Sequence, residues 1–349
     1  MADRAGFLSD CLPDLLMTSI GRRDFLKWAA VSGLLASGCH SRPERSLIVY
    51  CAHDSLYAAP ILEEFALRKD CAMYVKYDTE ASKSLGLVSR LLSEKDQPQC
   101  DVFWNNEALG TAALAAADIL AELGVPQQVE EDHSRRWVSF GGRLRCVISG
   151  RKRSLEEGAV SSFLDQDDLS RCCIAKPMFG TTLTQYCAWA ESWGLPTLMK
   201  RHQSWVAKGL RVVEGNAQVK DLVAAGACEL GFTDTDDLFV GRDSGSELFF
   251  EPVRIGGKTI CIPNTAAVIR GAARPDLAQQ LVAHLSSANV ELELSRSPAR
   301  QIPLGVVDPV TLSDEVRALR SWAEESIDVA ALLEIRSEVL QWLRREYSS

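Results

Sequence analysis

Leu47-Ile48-Val49-Tyr50-Cys51-Ala52-His53 is a short apolar, partly β-branched run that stops on small and polar residues. Such a run, bounded by Ser46 on one side and by His53-Asp54-Ser55 on the other, reads as a buried strand. A helix-like segment follows from about Tyr57 to Leu67, and the grammar then repeats. Met73-Tyr74-Val75-Lys76-Tyr77 is a second strand, Ser84 to Leu92 a helix, Asp101-Val102-Phe103-Trp104 a third strand, and about Ala108 to Leu120 a helix. Repeated strand-helix alternation marks an α/β domain with a mainly parallel sheet, whose ligands collect beyond the carboxyl ends of the strands. The residues at those ends are the first site candidates: Cys51 to Ser55, Asp78 to Lys83, and Asn105-Asn106-Glu107.

Outward from this series, Arg143-Leu144-Arg145-Cys146-Val147-Ile148-Ser149 reads as a connecting strand, and a second α/β series begins near Arg171. Ile174-Ala175-Lys176-Pro177 ends a strand before Gly180-Thr181-Thr182-Leu183-Thr184-Gln185 opens a helix. Arg211-Val212-Val213 precedes Gly215-Asn216-Ala217, and Leu230-Gly231-Phe232 precedes Thr233-Asp234-Thr235-Asp236-Asp237. Thr259 to Ile269 is again strand-like, with a helix from about Pro275 to Leu285. Ser313 to Tyr347 is helical, its last part amphipathic.

The first forty residues are of another kind. Gly21-Arg22-Arg23-Asp24-Phe25-Leu26-Lys27 has the form of a twin-arginine export signal. The apolar run Trp28 to Ala36 behind it is far shorter than the roughly 20 residues that span a bilayer. Ala36-Ser37-Gly38-Cys39 closes it like a lipobox, so cleavage before Cys39 and lipidation of its sulfur are expected. Asp3, Asp10 and Asp14 sit where a basic n-region belongs, which makes Met17 the better start. Residues 1–39 are therefore assigned to a twin-arginine lipoprotein signal.

Composition bounds the remainder. A net charge of −9 without basic runs excludes a nucleic-acid partner. Membrane contact is expected only through the lipid. Of the 11 cysteines, several lie within apolar strands, such as Cys146 and Cys261, where cysteine acts as a small hydrophobe. No GxSxG turn, HExxH helix or phosphate-binding glycine loop is present, so no enzymatic activity is expected.

Taken in order, Leu47 to His53, Asp101 to Glu107, Leu114 to Leu120, Gly142 to Val147, Phe179 to Thr182 and Gly226 to Phe232 resemble the periplasmic iron-binding family of solute-binding proteins. The resemblance implies a two-lobed periplasmic-binding-protein fold of type II, with mixed, mainly parallel sheets and two hinge crossovers. It places a first lobe at 46–147 plus 258–300 and a second at 148–257 plus 301–349. It implies a lipoprotein subunit of an ABC importer, in the periplasm or cell envelope, partnered by a permease and an ATPase, with no catalytic cofactor.

The resemblance also implies ferric iron or another metal as cargo, with a synergistic anion. His53 falls on the family's histidine ligand and Asn106, beside Glu107, on its carboxylate. Thr235 and Asp236, next to the further candidate Asp234, stand where the family has a tyrosine pair, and that departure weakens the case for iron, whose preferred donor is phenolate. Gly180, Thr181 and Thr182 at a helix start suit an anion, with Arg143, Arg145 and Asn216 as further candidates. Two alternatives stay open on the residues: a small phosphorylated or carboxylated organic solute, or a ligand-sensing partner of a membrane receptor, with a metal-dependent hydrolase behind them. Helix capping by Thr181 and Asp234 is the plain structural reading of those two residues. His133 and His202 read as surface residues, and Trp104 as an aromatic wall beside the site.

Overall fold

A computed structural model describes residues 45–78, 85–124, 135–150 and 164–347. Arg22, Arg23 and Cys39, with the whole proposed export and lipidation signal, lie outside the described residues, as does His133.

The first series forms as its pattern predicts: β1 (Ser46–Cys51), α1 (Ser55–Lys69), β2 (Ala72–Tyr77), α2 (Leu85–Ser93), β3 (Val102–Asn105) and α3 (Ala108–Ala116). β1 pairs in parallel with β2 on one side and β3 on the other. Val102 and Trp104 pack into one core with Leu47, Val49 and Phe65, while Phe103 packs into another with Tyr50, Leu87 and Leu114. Both faces of this sheet are thus covered, which is why its strands read as continuous apolar runs rather than as alternating ones.

The second series runs β5 (Cys172–Ala175), α4 (Gly180–Trp193), α5 (Leu195–Ala207), β6 (Arg211–Val213), α6 (Asn216–Ala224), β7 (Leu230–Asp234) and α7 (Thr235–Asp243). Here β5 pairs in parallel with β6 and β7. Trp189 anchors its core, its ring 5.3–5.7 Å from those of Tyr186, Trp193, Trp205 and Phe232.

Between the two parallel wings lies an antiparallel centre. β4 (Val138–Ser149) pairs through its first half with β11 (Cys261–Val268), and through its second with β7 and with β8 (Phe249–Pro252), while β9 (Arg254–Ile255) and β10 (Lys258–Thr259) form a separate antiparallel pair. One nine-stranded sheet results, ordered β2-β1-β3-β11-β4-β7-β5-β6 with β8 beside β4. The sheet is therefore mixed, and its parallel character is confined to the wings. Gly141 is the extra residue of a bulge: Phe140 faces Asn264 and Gly142 faces Pro263, and Gly141 sits between them at φ +49°. A left-handed residue at a bulge is a glycine position.

The chain closes with α8 (Pro275–Leu285), α9 (Ala288–Arg296), α10 (Asp314–Ala323) and α11 (Leu333–Glu346). No helix among the described residues is long and apolar enough to cross a membrane. Eight of the nine cysteines of the described residues are buried. Burial pushes the Cys51 and Cys187 thiols up to about 12, so they are inert fillers, as Cys146 and Cys261 were expected to be.

His202 is not at the surface. It is buried in α5, its Nδ1 2.9 Å from the Tyr186 hydroxyl and its Nε2 3.2 Å from that of Tyr347, and it fastens the end of α11 to the second series.

Candidate functional site

The carboxyl ends of β1, β3, β6 and β7, and the loop after β5, deliver polar residues towards the two arginines of β4. Alternate residues of a strand share a face. Arg143 and Arg145 accordingly lie together, while Leu144 and Cys146 join the core on the other side. Arg145 is 0% exposed and Arg143 only 4%. Two guanidinium groups so deeply placed need compensation, because desolvating a charge costs several kcal/mol.

Asp234, at the end of β7, supplies most of it. Its Oδ1 accepts from Arg145 Nη1 at 2.8 Å, and its Oδ2 lies 3.6 Å from Arg143 Nε. Thr181 Oγ1 donates to the same Oδ2 at 2.7 Å, and Asn216 Nδ2 does so at 2.9 Å. Arg145 also donates from Nε to Gln185 Oε1 at 2.8 Å and from Nη1 to Thr181 Oγ1 and Asn216 Oδ1, each at 3.2 Å. Thr182 reaches Asn216 Oδ1 at 3.3 Å. Capping explains neither Asp234 nor Thr181. Asp234 precedes α7 without a side-chain cap bond, and Thr181 lies inside α4, whose preceding residue is Phe179. Their side chains serve the arginines instead.

Arg143 reaches the other way. Its Nη2 donates to the Asn106 carbonyl at 2.5 Å, and its Nε lies 3.5 Å from Asp236 Oδ2. One guanidinium thus joins the end of β3 to the start of α7. Thr235 is committed to the frame, its buried hydroxyl accepting from Leu144 N at 3.1 Å. Glu107 is the N-cap of α3, accepting from Gly110 N at 2.8 Å. Gly180 opens α4 at φ +59°.

His53 is buried and stacked on Trp104, ring centroids 5.4 Å apart, with Gln301 Nε2 at 3.3 Å from its Nε2. Trp104 is fully buried beneath it, so it supports His53 and offers no wall of its own. The structure therefore gathers Arg143, Arg145, Thr181, Thr182, Asn216 and Asp234 into one network and brings Asn106 and Asp236 to its edge. Gln185, not foreseen, belongs to it. It lies one helical turn after Thr181, and that i, i+4 spacing was the available signal.

Four polar atoms of this cluster are buried with no hydrogen-bond partner among the described residues: Arg143 Nη1, Arg145 Nη2, Gln185 Nε2 and Asn106 Oδ1. Buried polar groups are almost always paired, and a charged donor left unpaired is more costly than a neutral one. The arrangement therefore leaves bonds for a partner to fill.

Acids crowd the other edge. Asp234, Asp236 and Asp237 each place an oxygen within 4.8 Å of the others. Burial, followed by the charge of Asp234 and opposed by that of Arg143, pushes the Asp236 carboxyl up to about 6. Across from them, burial and the charges of Asp236, Asp54 and Asp237 push the Tyr57 phenol up to about 12. Because Asp236 holds its proton more tightly folded than unfolded, its contribution to stability is present below about pH 4 and is lost as pH rises through about 6. Asp236→Asn is expected to remove that loss, so the variant should gain on the parent in urea denaturation at about pH 7.5 relative to about pH 4.5. An identical difference at both pH values would contradict the assignment.

No protein-family profile matches this sequence, and no curated protein matches it. Solved structures do. Iron-bound HitA from Pseudomonas aeruginosa superposes with a TM-score of 0.73 at 19% identity, over 86% of this chain and 99% of that one. The apo ferric ion-binding protein A of Pasteurella haemolytica gives 0.72 at 13%, over 86% and 97%. The periplasmic binding protein AfuA of Actinobacillus pleuropneumoniae, with fructose-6-phosphate bound, gives 0.67 at 14%, over 87% and 99%. What is common at such identities is the architecture: this chain has the mixed α/β fold of the periplasmic binding proteins.

Proposed function

We propose that this chain is a solute-binding protein whose cargo is a small organic anion, captured between a first lobe of 46–147 plus 258–300 and a second of 148–257 plus 301–349. In this reading it is exported through Arg22 and Arg23, tethered at Cys39, and hands its cargo to an ABC permease and ATPase. It binds without transforming, closing by hinge motion about β4 and β11. The fold supports the role, and one observation carries the choice of cargo: Arg143 and Arg145, both buried midway along β4, each keep a guanidinium N–H with no partner among the described residues. A carboxylate or phosphate oxygen is the acceptor that matches two such donors.

Ferric iron is the second reading, supported by the oxygens of Asp234, Asp236 and Asp237. Charge weighs against it. Two guanidinium groups already hold Asp234, and Arg143 Nε also stands 3.5 Å from Asp236. A trivalent ion there would meet two fixed positive charges with no phenolate at the positions of Thr235 and Asp236 to offset them.

The test is the mass and metal content of what the Cys39→Ser protein carries through purification. An organic anion at near one per chain, lost in an otherwise folded Arg143→Gln variant, is the expected result. Stoichiometric iron retained by both proteins would reverse the choice.

A further inference from the structure

The unmet bonds of the site are of two kinds, and the Arg143 guanidinium touches the residues of both. The first are donors: Arg143 Nη1, Arg145 Nη2 and Gln185 Nε2. The second is an acceptor, Asn106 Oδ1, whose own backbone carbonyl takes Arg143 Nη2 at 2.5 Å. Asp236 flanks the same guanidinium, Oδ2 at 3.5 Å from Nε, and its side chain is 24% exposed where that of Asp234 is 4%. A simple anion would satisfy the donors and leave the acceptor unanswered, with the field of Asp54, Asp236 and Asp237 against it.

We propose that the solute is a small zwitterion: a carboxylate or phosphate ester received by Arg143 and Arg145, and a primary ammonium received by Asn106 Oδ1 and Asp236. This rests on the reading above that the site takes an organic anion, and extends it to the other end of the molecule. An ammonium donates three N–H bonds and accepts none, the complement of an amide oxygen beside a carboxylate. Its single charge also suits the place, where the carboxylates of Asp234 and Asp236 are already partly compensated by Arg143 and Arg145. Since a single guanidinium touches the residues of both kinds, the charges of the ligand stand only a few bonds apart. β-Amino acids and aminoalkyl phosphates have that form.

Titration calorimetry of the Cys39→Ser chain with two matched pairs tests this: 2-aminoethyl phosphate against ethyl phosphate, and β-alanine against propionate. In at least one pair the amino member is expected to bind about ten-fold tighter or better. Asp236→Asn should erase that preference, and the amine-free member should lose no affinity and gain some, because the substitution removes a negative charge that opposes it. Equal affinities within both pairs would overturn the zwitterion and leave the anion reading standing. Binding of none of the four would overturn both. A preference that survives Asp236→Asn, with the variant's circular dichroism unchanged, would overturn the assignment of the ammonium to this carboxylate.

Discussion

Arg145→Met is expected to destabilise the chain by about 3–5 kcal/mol, because it removes the cation that compensates a buried carboxylate. Asp234 has its other bonds from Thr181 and Asn216, both neutral, and Arg143 Nε stands off at 3.6 Å. With Arg145 gone, the carboxylate is left in a site that is 3% exposed, and Gln185, Thr181 and Asn216 each lose an ion-assisted bond. The loss is one of partnership rather than of volume, since methionine fills much of the space. Asp234→Asn in the same chain should therefore recover a large part of it, because an amide buried beside Thr181 and Asn216 carries no charge to compensate. Urea denaturation of the parent, the single variants and the double variant measures both effects. A single variant within about 1 kcal/mol of the parent would mean that Arg145 is not the compensating charge.

The elements that were legible in the sequence are those whose signal is local. β1, β3 and β7 announce themselves as apolar runs ending in polar residues, and such endings placed Asn106 and Asp234 among the candidates, as the turns after β5 and β6 placed Thr181 and Asn216. The alternation of Arg143 and Arg145 put both on one face. What escaped was non-local. Val138 to Gly142 carries two glycines and gives no strand pattern, yet it is half of β4, because its pairing with β11 and the bulge at Gly141 are settled by residues more than a hundred positions away. That Asp234 would serve Arg145 rather than cap α7 could not be read from a loop composed of residues that usually cap. His202 was misjudged through its polar neighbours Lys200, Arg201 and Gln203. Its spacing from Leu198 and Trp205, four before and three after, already put it on the buried face of α5.

Glu291 is the residue with no sequence signal and the second large expected effect. It lies in α9, 1% exposed, and both carboxylate oxygens are spent on backbone. Gly141 N donates to Oε2 at 2.9 Å, Gly305 N to Oε1 at 2.8 Å, and Leu304 N lies 3.2 Å from each oxygen. One side chain thereby ties the bulge of β4 to the returning segment, where Gly142 and Ile302 exchange backbone bonds at 2.7 Å. Burial raises the carboxyl pKa and these N–H bonds oppose it. Each buried donor left unsatisfied costs about 1–3 kcal/mol, so Glu291→Ala, which strands three, should cost about 4 kcal/mol or more even after partial relaxation. Glu291→Gln keeps one acceptor oxygen but turns an N–H towards another N–H, and should fall between parent and alanine variant. The order parent, glutamine, alanine in urea midpoints is the expected result. Two variants of equal stability would mean that Glu291 fills space at the bulge without holding it. Because β4 carries Arg143 and Arg145 immediately after that bulge, the alanine variant is also expected to weaken ligand binding although no residue of the site is itself substituted.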